Sequence, residues 1–219
     1  MPHCFISYVV RPLSTLTIRF AFLLACLSAS LCASTQAADL DAGEQAAAIC
    51  LACHAADGST LLPEYPSLAG QGTKYLYDQM IQIRSGAREI PLMAGQLDAM
   101  SDETIANIAA WYASLTPRQG QALELASLDE GEQIYRAGIA EKSVSACTAC
   151  HGPSGIGNAP AGFPSLKGLS RAYLVQQLTA YREGERTTDE RYGGMMRDTA
   201  HQLTDAEIEA VANYVSGLL

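Results

Sequence analysis

Two short stretches of the sequence decide the fold: Cys50-Leu-Ala-Cys53-His54 and Cys147-Thr-Ala-Cys150-His151. They are the most distinctive part of a longer internal repeat. The repeat also pairs Gly43-Glu44-Gln45 with Gly131-Glu132-Gln133, Pro66-Ser67-Leu68 with Pro164-Ser165-Leu166, Tyr75-Leu76 with Tyr173-Leu174, and Arg84-Ser-Gly86 with Arg182-Glu-Gly184. Two copies are too few for a solenoid, so the repeat predicts two tandem domains, with expected boundaries 39–119 and 120–219.

A Cys-x-x-Cys-His motif suits the covalent attachment of haem. Its thiols lie one helical turn apart, where each can add to a vinyl group, and the adjacent imidazole reaches the iron from the same side. One Cys-x-x-Cys pair alone also fits half of a zinc site or a thioredoxin-like redox site. Two copies inside a repeat favour haem, and we predict two covalently bound haem c groups. The attachment residues are Cys50, Cys53, Cys147 and Cys150, and the iron ligands from these motifs are His54 and His151.

The second axial ligand of each iron determines what the haem does, because a methionine-capped iron transfers electrons whereas an open iron binds small molecules. Met93 lies eight residues before Ser101, and Met196 lies eight residues before Thr204. Both Ser101 and Thr204 are predicted helix N-caps, so these two methionines are in phase with the repeat. We therefore predict Met93 and Met196 as the remaining iron ligands, whereas the other methionines after the leader are expected to be packing residues.

Helix signals dominate both halves, and no alternating strand pattern competes with them. Thr204 and Glu207 form a capping box, and apolar residues follow Ser101 and Thr204 at helical spacing. The expected helices cover 41–53, 75–84 and a segment after Ser101 in the first half, and 129–136, 173–182 and a segment after Thr204 in the second. Three short helices provide little core. We therefore predict an all-α fold in which each domain wraps around its haem.

Three further pairs of equivalent residues have weaker assignments. The carbonyl of Pro66 or Pro164 is placed to accept the second imidazole N–H of the preceding histidine, although a rigid turn is the simpler explanation. Four other residues have two equally plausible roles, either contact with haem propionates or ordinary packing and solvation: Tyr75, Tyr173, Arg84 and Arg182.

The first 38 residues contain no acidic residue. Arg11 and Arg19 precede an apolar run over 20–33, and small residues follow as far as Ala38, which is the usual order of a secretory signal peptide. The run is shorter than the roughly 20 residues that a membrane-spanning helix needs. We expect a signal peptide over 1–38 and export of the protein. An uncleaved anchor and lipidation at Cys26 are the alternatives.

The chain after the leader is acidic. All 23 acidic residues but only 12 of the 14 basic ones lie at or after Asp39, which leaves this part with a net charge of −11. Nucleic-acid binding needs a cationic face, so we exclude it as a function. Both halves share the negative charge, and attraction to a basic partner is expected to weaken with added salt.

These features together resemble the dihaem cytochrome c4 family. Beyond the haem motifs, the resemblance rests on Pro66-Ser-Leu-Ala-Gly-Gln71-Gly72, Ala161-Gly-Phe-Pro-Ser-Leu166, Arg182-Glu-Gly-Glu-Arg186-Thr187 and the two methionine loops. It implies two tandem class I cytochrome c-like domains whose haems face each other near the domain boundary. It also implies a periplasmic electron carrier between a cytochrome bc1 complex, or another donor, and a terminal oxidase.

Three functions are compared on this basis. The first is a non-enzymatic periplasmic electron carrier between respiratory complexes. The second is a haem-bearing electron-transfer subunit of a periplasmic dehydrogenase, such as a sulfide or thiosulfate dehydrogenase. The third, a dihaem enzyme of the peroxidase kind, requires a haem without its methionine, whereas both Met93 and Met196 are in place. The first two require redox protein partners, and membrane association is allowed but not required.

Overall fold

The computed structural model describes residues 37–60 and 62–218. The helices of the first half are α1 (Leu40–Ala46), α2 (Leu51–His54), α3 (Thr73–Arg84) and α4 (Asp102–Ser114). Those of the second half are α5 (Leu128–Ala137), α6 (Thr148–His151), α7 (Arg171–Arg182), α8 (Met195–Ala200) and α9 (Asp205–Ser216). Short 3-10 helices cover Ala47–Cys50, Pro91–Met93, Leu125–Ser127, Ala140–Lys142 and Glu190–Tyr192. The described residues form isolated β-bridges and no strand, so the predicted all-α fold is confirmed.

The predicted N-caps begin the last helix of each half. The Ser101 hydroxyl accepts a hydrogen bond from the Thr104 amide at 3.1 Å. Thr204 and Glu207 form the predicted capping box. The first helix of the N-terminal half differs from its prediction, because the expected helix over 41–53 changes at Ala47 into a 3-10 turn before α2 begins.

The first and last helices of each half cross at a glycine. A Cβ atom on Gly43 in α1 would lie 2.2 Å from the Asn107 carbonyl oxygen of α4. A Cβ atom on Gly131 in α5 would likewise lie 2.2 Å from the Ala210 carbonyl oxygen of α9. No side chain fits at these distances, which explains why the repeat carries glycine at both positions.

A hydrophobic core fills the space between the helices of each half. In the C-terminal half, Ile134 from α5, Leu174 from α7 and Val211 from α9 are buried together, and Cys147 packs against them. The N-terminal core contains Ala47, Leu76, Ile108, Ala109, Trp111 and Tyr112, and Cys50 packs against it. Each core therefore borders one of the cysteine motifs.

The most deeply buried tyrosine of each core lies on a different helix. Tyr135 lies in α5, where the repeat places Ala47 in the first half, whereas Tyr112 lies in α4, where the repeat places Val215. The Tyr135 hydroxyl donates to the Gly152 carbonyl at 2.6 Å. The Tyr112 hydroxyl is buried near the Cys50 thiol and has no nitrogen or oxygen partner among the described residues. The exchange keeps one large aromatic side chain beside each cysteine motif.

The described residues from Ala38 onward form one compact unit. The Gln71 side chain of the first half accepts a hydrogen bond from the Ser165 amide at 2.7 Å and donates to the Ser165 carbonyl at 2.8 Å. Asp78 and Arg191 form an ion pair between the halves at 2.7 Å. The connecting segment packs on the C-terminal half, where Asn213 binds the backbone of Leu123 and Glu124. The boundary between 119 and 120 remains a prediction.

No helix among the described residues is long and apolar enough to cross a membrane. The predicted signal peptide over 1–38 and the lipidation alternative at Cys26 fall outside the described residues, apart from Ala37 and Ala38.

Candidate functional site

Each cysteine motif lies on a single helical turn. In the C-terminal half, Cys147 is the N-cap of α6, and Cys150 and His151 lie within that helix. The His151 amide donates to the Cys147 carbonyl at 2.9 Å, which closes the turn. In the N-terminal half, Cys50 ends the 3-10 turn before α2, which carries Cys53 and His54. Both motifs thus bring two thiols and an imidazole onto one turn, as covalent haem attachment requires.

The two histidines are buried and held in one tautomer. The His151 Nδ1 lies 2.9 Å from the Pro164 carbonyl oxygen, and the His54 Nδ1 lies 3.1 Å from that of Pro66. A carbonyl oxygen only accepts, so Nδ1 carries the proton and the lone pair lies on Nε2. The geometry favours the carbonyl contact over the simple rigid turn at both prolines. Nε2 is therefore the nitrogen available to an iron.

Burial keeps the two histidines and two of the motif thiols neutral. It lowers the pKa of His54 and of His151 below the usual histidine value, although the hydrogen bonds to the proline carbonyls act in the opposite direction. Burial also raises the pKa of the Cys147 thiol to about 11 and raises that of Cys50. Neutral imidazoles suit metal ligation, and buried sulfur atoms suit an apolar thioether environment.

The C-terminal motif faces a cavity of about 400 Å³. Most of its lining surface is apolar, with aliphatic side chains from Ile134, Val144, Leu166, Leu169, Leu174, Leu178, Val211 and Val215. Cys147, Cys150 and His151 line this cavity together with Met195 and Met196. An apolar cavity with two thiols, one imidazole with a free Nε2 and thioether sulfurs fits the apolar face and the iron of a haem. The residues present therefore suit the predicted cofactor.

The two predicted methionine ligands occupy short helices. Met196 lies in α8 and lines the C-terminal cavity together with Met195, which is 46% exposed, whereas Met196 is half-buried. Met93 is half-buried at the end of the 3-10 turn Pro91–Met93. The lower exposure of Met196 agrees with its selection by repeat phase. Both methionines remain predictions as iron ligands.

The arginines at the ends of the middle helices do not lie in the C-terminal cavity lining. Arg84 donates to the Met100 carbonyl at 2.7 Å and pairs with Asp102. Arg182 donates to the Leu203 carbonyl at 3.1 Å and pairs with Asp205 at 2.7 Å. Each guanidinium therefore ties a middle helix to the start of the last helix in its own half, which favours packing over propionate contact for this pair.

Sequence reasoning missed a polar cluster between the two halves. It consists of three repeat-related pairs, each separated by 98 residues: Tyr75 and Tyr173, Gln79 and Gln177, and Arg88 and Arg186. Arg186 donates to the Tyr75 hydroxyl at 3.0 Å, and Arg88 donates to the Tyr173 hydroxyl at 3.2 Å. We call these six residues the interdomain cluster. The equal spacing marks the members of each pair as equivalent in the sequence, but it does not indicate that the pairs contact one another.

The chain is similar to c-type cytochromes over both halves. Residues 128–219 match the family model described as "Cytochrome c", and residues 38–111 match that described as "Cytochrome C oxidase, cbb3-type, subunit III". Cytochrome c4 of Pseudomonas aeruginosa is 43% identical over 182 residues, which are 83% of this chain and 90% of that protein. The crystal structure of reduced recombinant cytochrome c4 from Pseudomonas stutzeri superposes with a TM-score of 0.81 at 40% identity, covering 84% of this chain and 100% of that one. A thiosulfate dehydrogenase electron acceptor of Thiomonas intermedia is 36% identical, with 78% of each chain covered.

Proposed function

The chain belongs to the cytochrome c4 family of two-haem electron-transfer proteins, and from this premise we propose that it carries electrons in the periplasm between respiratory complexes. We propose that it receives electrons from a cytochrome bc1 complex, or from another respiratory donor, and passes them to a terminal oxidase. The observation that carries the proposal is the C-terminal cavity, because its lining includes both the haem-attachment motif and Met196.

The haem-binding residues follow from the two motifs. Cys50 and Cys53 hold one haem c through thioether bonds, and Cys147 and Cys150 hold the other. When bound, each haem supplies an iron that gains and loses one electron. His151 and Met196 would bind the iron of the C-terminal haem, and His54 and Met93 would bind the iron of the N-terminal haem.

The chain's residues favour electron transfer by keeping the ligands fixed. The Pro66 and Pro164 carbonyls hold the histidine rings in one orientation through Nδ1. The aliphatic lining keeps water away from the C-terminal site. A rigid, water-poor ligand set changes little between two oxidation states. A methionine ligand also raises the reduction potential relative to a second histidine.

A second function has specific support. The Thiomonas intermedia relative is named as an electron acceptor of thiosulfate dehydrogenase. On this alternative the chain is a haem-bearing electron-transfer subunit of a periplasmic dehydrogenase, such as a sulfide or thiosulfate dehydrogenase, and it takes electrons from that enzyme through the same two haem sites. Both functions require redox protein partners.

The first experiment is the optical spectrum of the full chain, expressed with a haem-attachment system. We expect the pyridine haemochrome assay to give two haems per chain. We also expect the weak red absorption band of methionine-bound ferric haem at the intensity of two haems, and no spectral change when the reduced protein meets carbon monoxide. A methionine-free haem that binds carbon monoxide would contradict the carrier and favour an enzyme of the peroxidase kind.

The donor is tested with purified partners. Stopped-flow reduction by a bc1 complex is compared with reduction by a thiosulfate dehydrogenase supplied with thiosulfate. Faster reduction by the bc1 complex supports the respiratory carrier. Faster reduction by the dehydrogenase supports the alternative.

A further inference from the structure

A buried carboxylate closes the loop that carries Met196. Asp189 is only 4% exposed. Its Oδ2 accepts a hydrogen bond from the Arg197 amide at 2.9 Å, and its Oδ1 accepts one from the Arg197 side-chain Nε at 2.8 Å. Arg197 directly follows Met196, which lines the C-terminal cavity. One side chain therefore joins the two ends of the segment 189–197, and Met196 lies next to the joint.

The carboxylate takes the place of a helix cap. Helix α8 begins at Met195, and its N-cap is Gly194, which has no side chain to accept a hydrogen bond. The first amides of a helix have no partner within the helix and usually bind the side chain of the N-cap residue. Here Asp189 binds the third amide of α8 instead. Gly193 and Gly194 have φ angles of +68° and +81°, which lets the chain turn back to Asp189.

The loop that carries Met93 is held differently. The Met93 amide donates to the Ile90 carbonyl at 2.8 Å, and the Ala94 amide donates to the Pro91 carbonyl at 3.3 Å. The N-cap of this turn makes no side-chain hydrogen bond. The nearest carboxylate in the sequence, Glu89, is exposed. A backbone turn therefore holds the first methionine loop, whereas a buried carboxylate holds the second.

The contacts of Asp189 resist opening of the second loop. Hydrogen bonds to an ionised group are stronger than those between neutral groups. A buried charge that loses its partners is also costly. Movement of Met196 away from the cavity together with Arg197 would break both contacts of the carboxylate at once.

We propose that Asp189 is a positioning residue, which keeps the Met196 loop closed and thereby protects the C-terminal iron site from external ligands. The inference rests on the proposed function, in which Met196 is an iron ligand. An external ligand competes only when the methionine has left, so its apparent affinity is reduced by the fraction of protein in that open state. Asp189 lowers this fraction and so favours electron transfer over ligand binding.

The test is an optical titration of the ferric, haem-loaded full chain with imidazole. We expect Asp189→Ala to raise the apparent imidazole affinity of one of the two haems about tenfold, since two hydrogen bonds to a charged group are lost. The other haem has Met93 as its ligand and should keep its affinity, which makes it an internal reference. Asp189→Asn keeps an acceptor for the Arg197 amide but loses the charge, so we expect a smaller increase at the same haem.

A second background separates positioning from general loosening. In Met196→Ala the loop no longer carries a ligand, so adding Asp189→Ala should leave the imidazole affinity of the open haem unchanged. Proton NMR of the reduced protein assigns the site, because each iron-bound methionine gives a strongly upfield-shifted methyl signal. Asp189→Ala should alter only the signal that Met196→Ala removes.

Glu190→Gln is the matched control. Glu190 is the next residue in the chain and its carboxylate binds the same Arg197 guanidinium, but its side chain is 79% exposed. It makes no hydrogen bond to the Arg197 amide, which is bound by Asp189. We expect Glu190→Gln to leave both imidazole affinities unchanged.

The outcomes separate the inference from the function on which it rests. Unchanged affinities in Asp189→Ala and Asp189→Asn, an equal rise at both haems, or the same rise in the Met196→Ala background would each overturn the inference. If Asp189→Ala does not accumulate with two haems, Asp189→Asn decides in both backgrounds. A parent protein without two methionine-bound haems would instead overturn the proposed function.

Discussion

Met195 and Met196 are adjacent, and both line the C-terminal cavity. Single substitutions can therefore decide which of the two binds the iron. Repeat phase selects Met196, which is also the less exposed of the two. We expect Met196→Ala to open one of the two irons, so that reduced protein shows a carbon monoxide spectrum worth one haem. Met195→Ala is the control and should show none. The reverse pattern would make Met195 the ligand.

The two exchanged tyrosines provide a matched pair of hydroxyl groups. The Tyr135 hydroxyl donates to Gly152 at 2.6 Å, whereas that of Tyr112 is buried without a partner among the described residues. We expect Tyr135→Phe to lower the free energy of unfolding by about 1 kcal/mol, the typical value of one hydrogen bond. Tyr112→Phe should leave it unchanged or raise it slightly. Denaturant unfolding of the haem-loaded proteins measures both, and equal losses would contradict this account.

A motif allows specific predictions for single residues. The prediction of His54 and His151 as iron ligands follows from Cys-x-x-Cys-His, and the spacing of the prolines offered the carbonyl contact, now seen in the structure, beside a simple rigid turn. The unpartnered hydroxyl of Tyr112 was not predictable, because it depends on which atoms surround the side chain once the helices have packed.

At the scale of secondary structure, capping residues gave the most accurate boundaries. Ser101 and Thr204 begin α4 and α9 as predicted, because their side chains satisfy amides that have no partner within the helix. The 3-10 turn from Ala47 to Cys50 was not predicted. The sequence there contains no proline or glycine, so local propensity gives no reason for the helix to change.

The helix crossings predict the sign of the change in unfolding free energy when their glycine is replaced by alanine. Replacing a helical glycine by alanine ordinarily stabilises a helix by up to about 1 kcal/mol. At Gly131 the new methyl would lie 2.2 Å from the Ala210 carbonyl oxygen, so we expect Gly131→Ala to lower the free energy of unfolding by about 1–3 kcal/mol. Gly43→Ala should behave in the same way. Thermal or denaturant unfolding measures the change.

Glu130→Ala is the control for this substitution, since Glu130 is exposed on the same helix. Its effect should be within about 0.5 kcal/mol of zero. A stabilising effect of Gly131→Ala would mean that the close approach of α5 and α9 relaxes at little cost, and would contradict the explanation given for the repeated glycine.

For the whole molecule, the repeat predicts two similar halves but not how they meet. The interdomain cluster depends on side chains of one half reaching acceptors of the other, as Arg186 reaches Tyr75 and Arg88 reaches Tyr173. Helical periodicity within one half carries no information about such contacts. The even 98-residue spacing marks these residues as equivalent, and only the packed structure shows that equivalent residues contact each other's partners.

The acidity of the whole chain should govern its encounters with charged redox reagents. Residues from Asp39 onward carry a net charge of −11, and charge attraction raises association rates in a way that salt screens. We expect oxidation of the reduced protein by a cationic complex, such as tris(1,10-phenanthroline)cobalt(III), to slow several-fold as ionic strength rises from about 0.01 to 0.15 M, where the Debye length falls from about 30 to 8 Å. Oxidation by anionic ferricyanide should become faster over the same range. Stopped-flow measurement of both second-order rate constants checks this prediction. Screening of the negative charge of the chain must change the two rate constants in opposite directions. A general effect of salt on the protein would change them in the same direction.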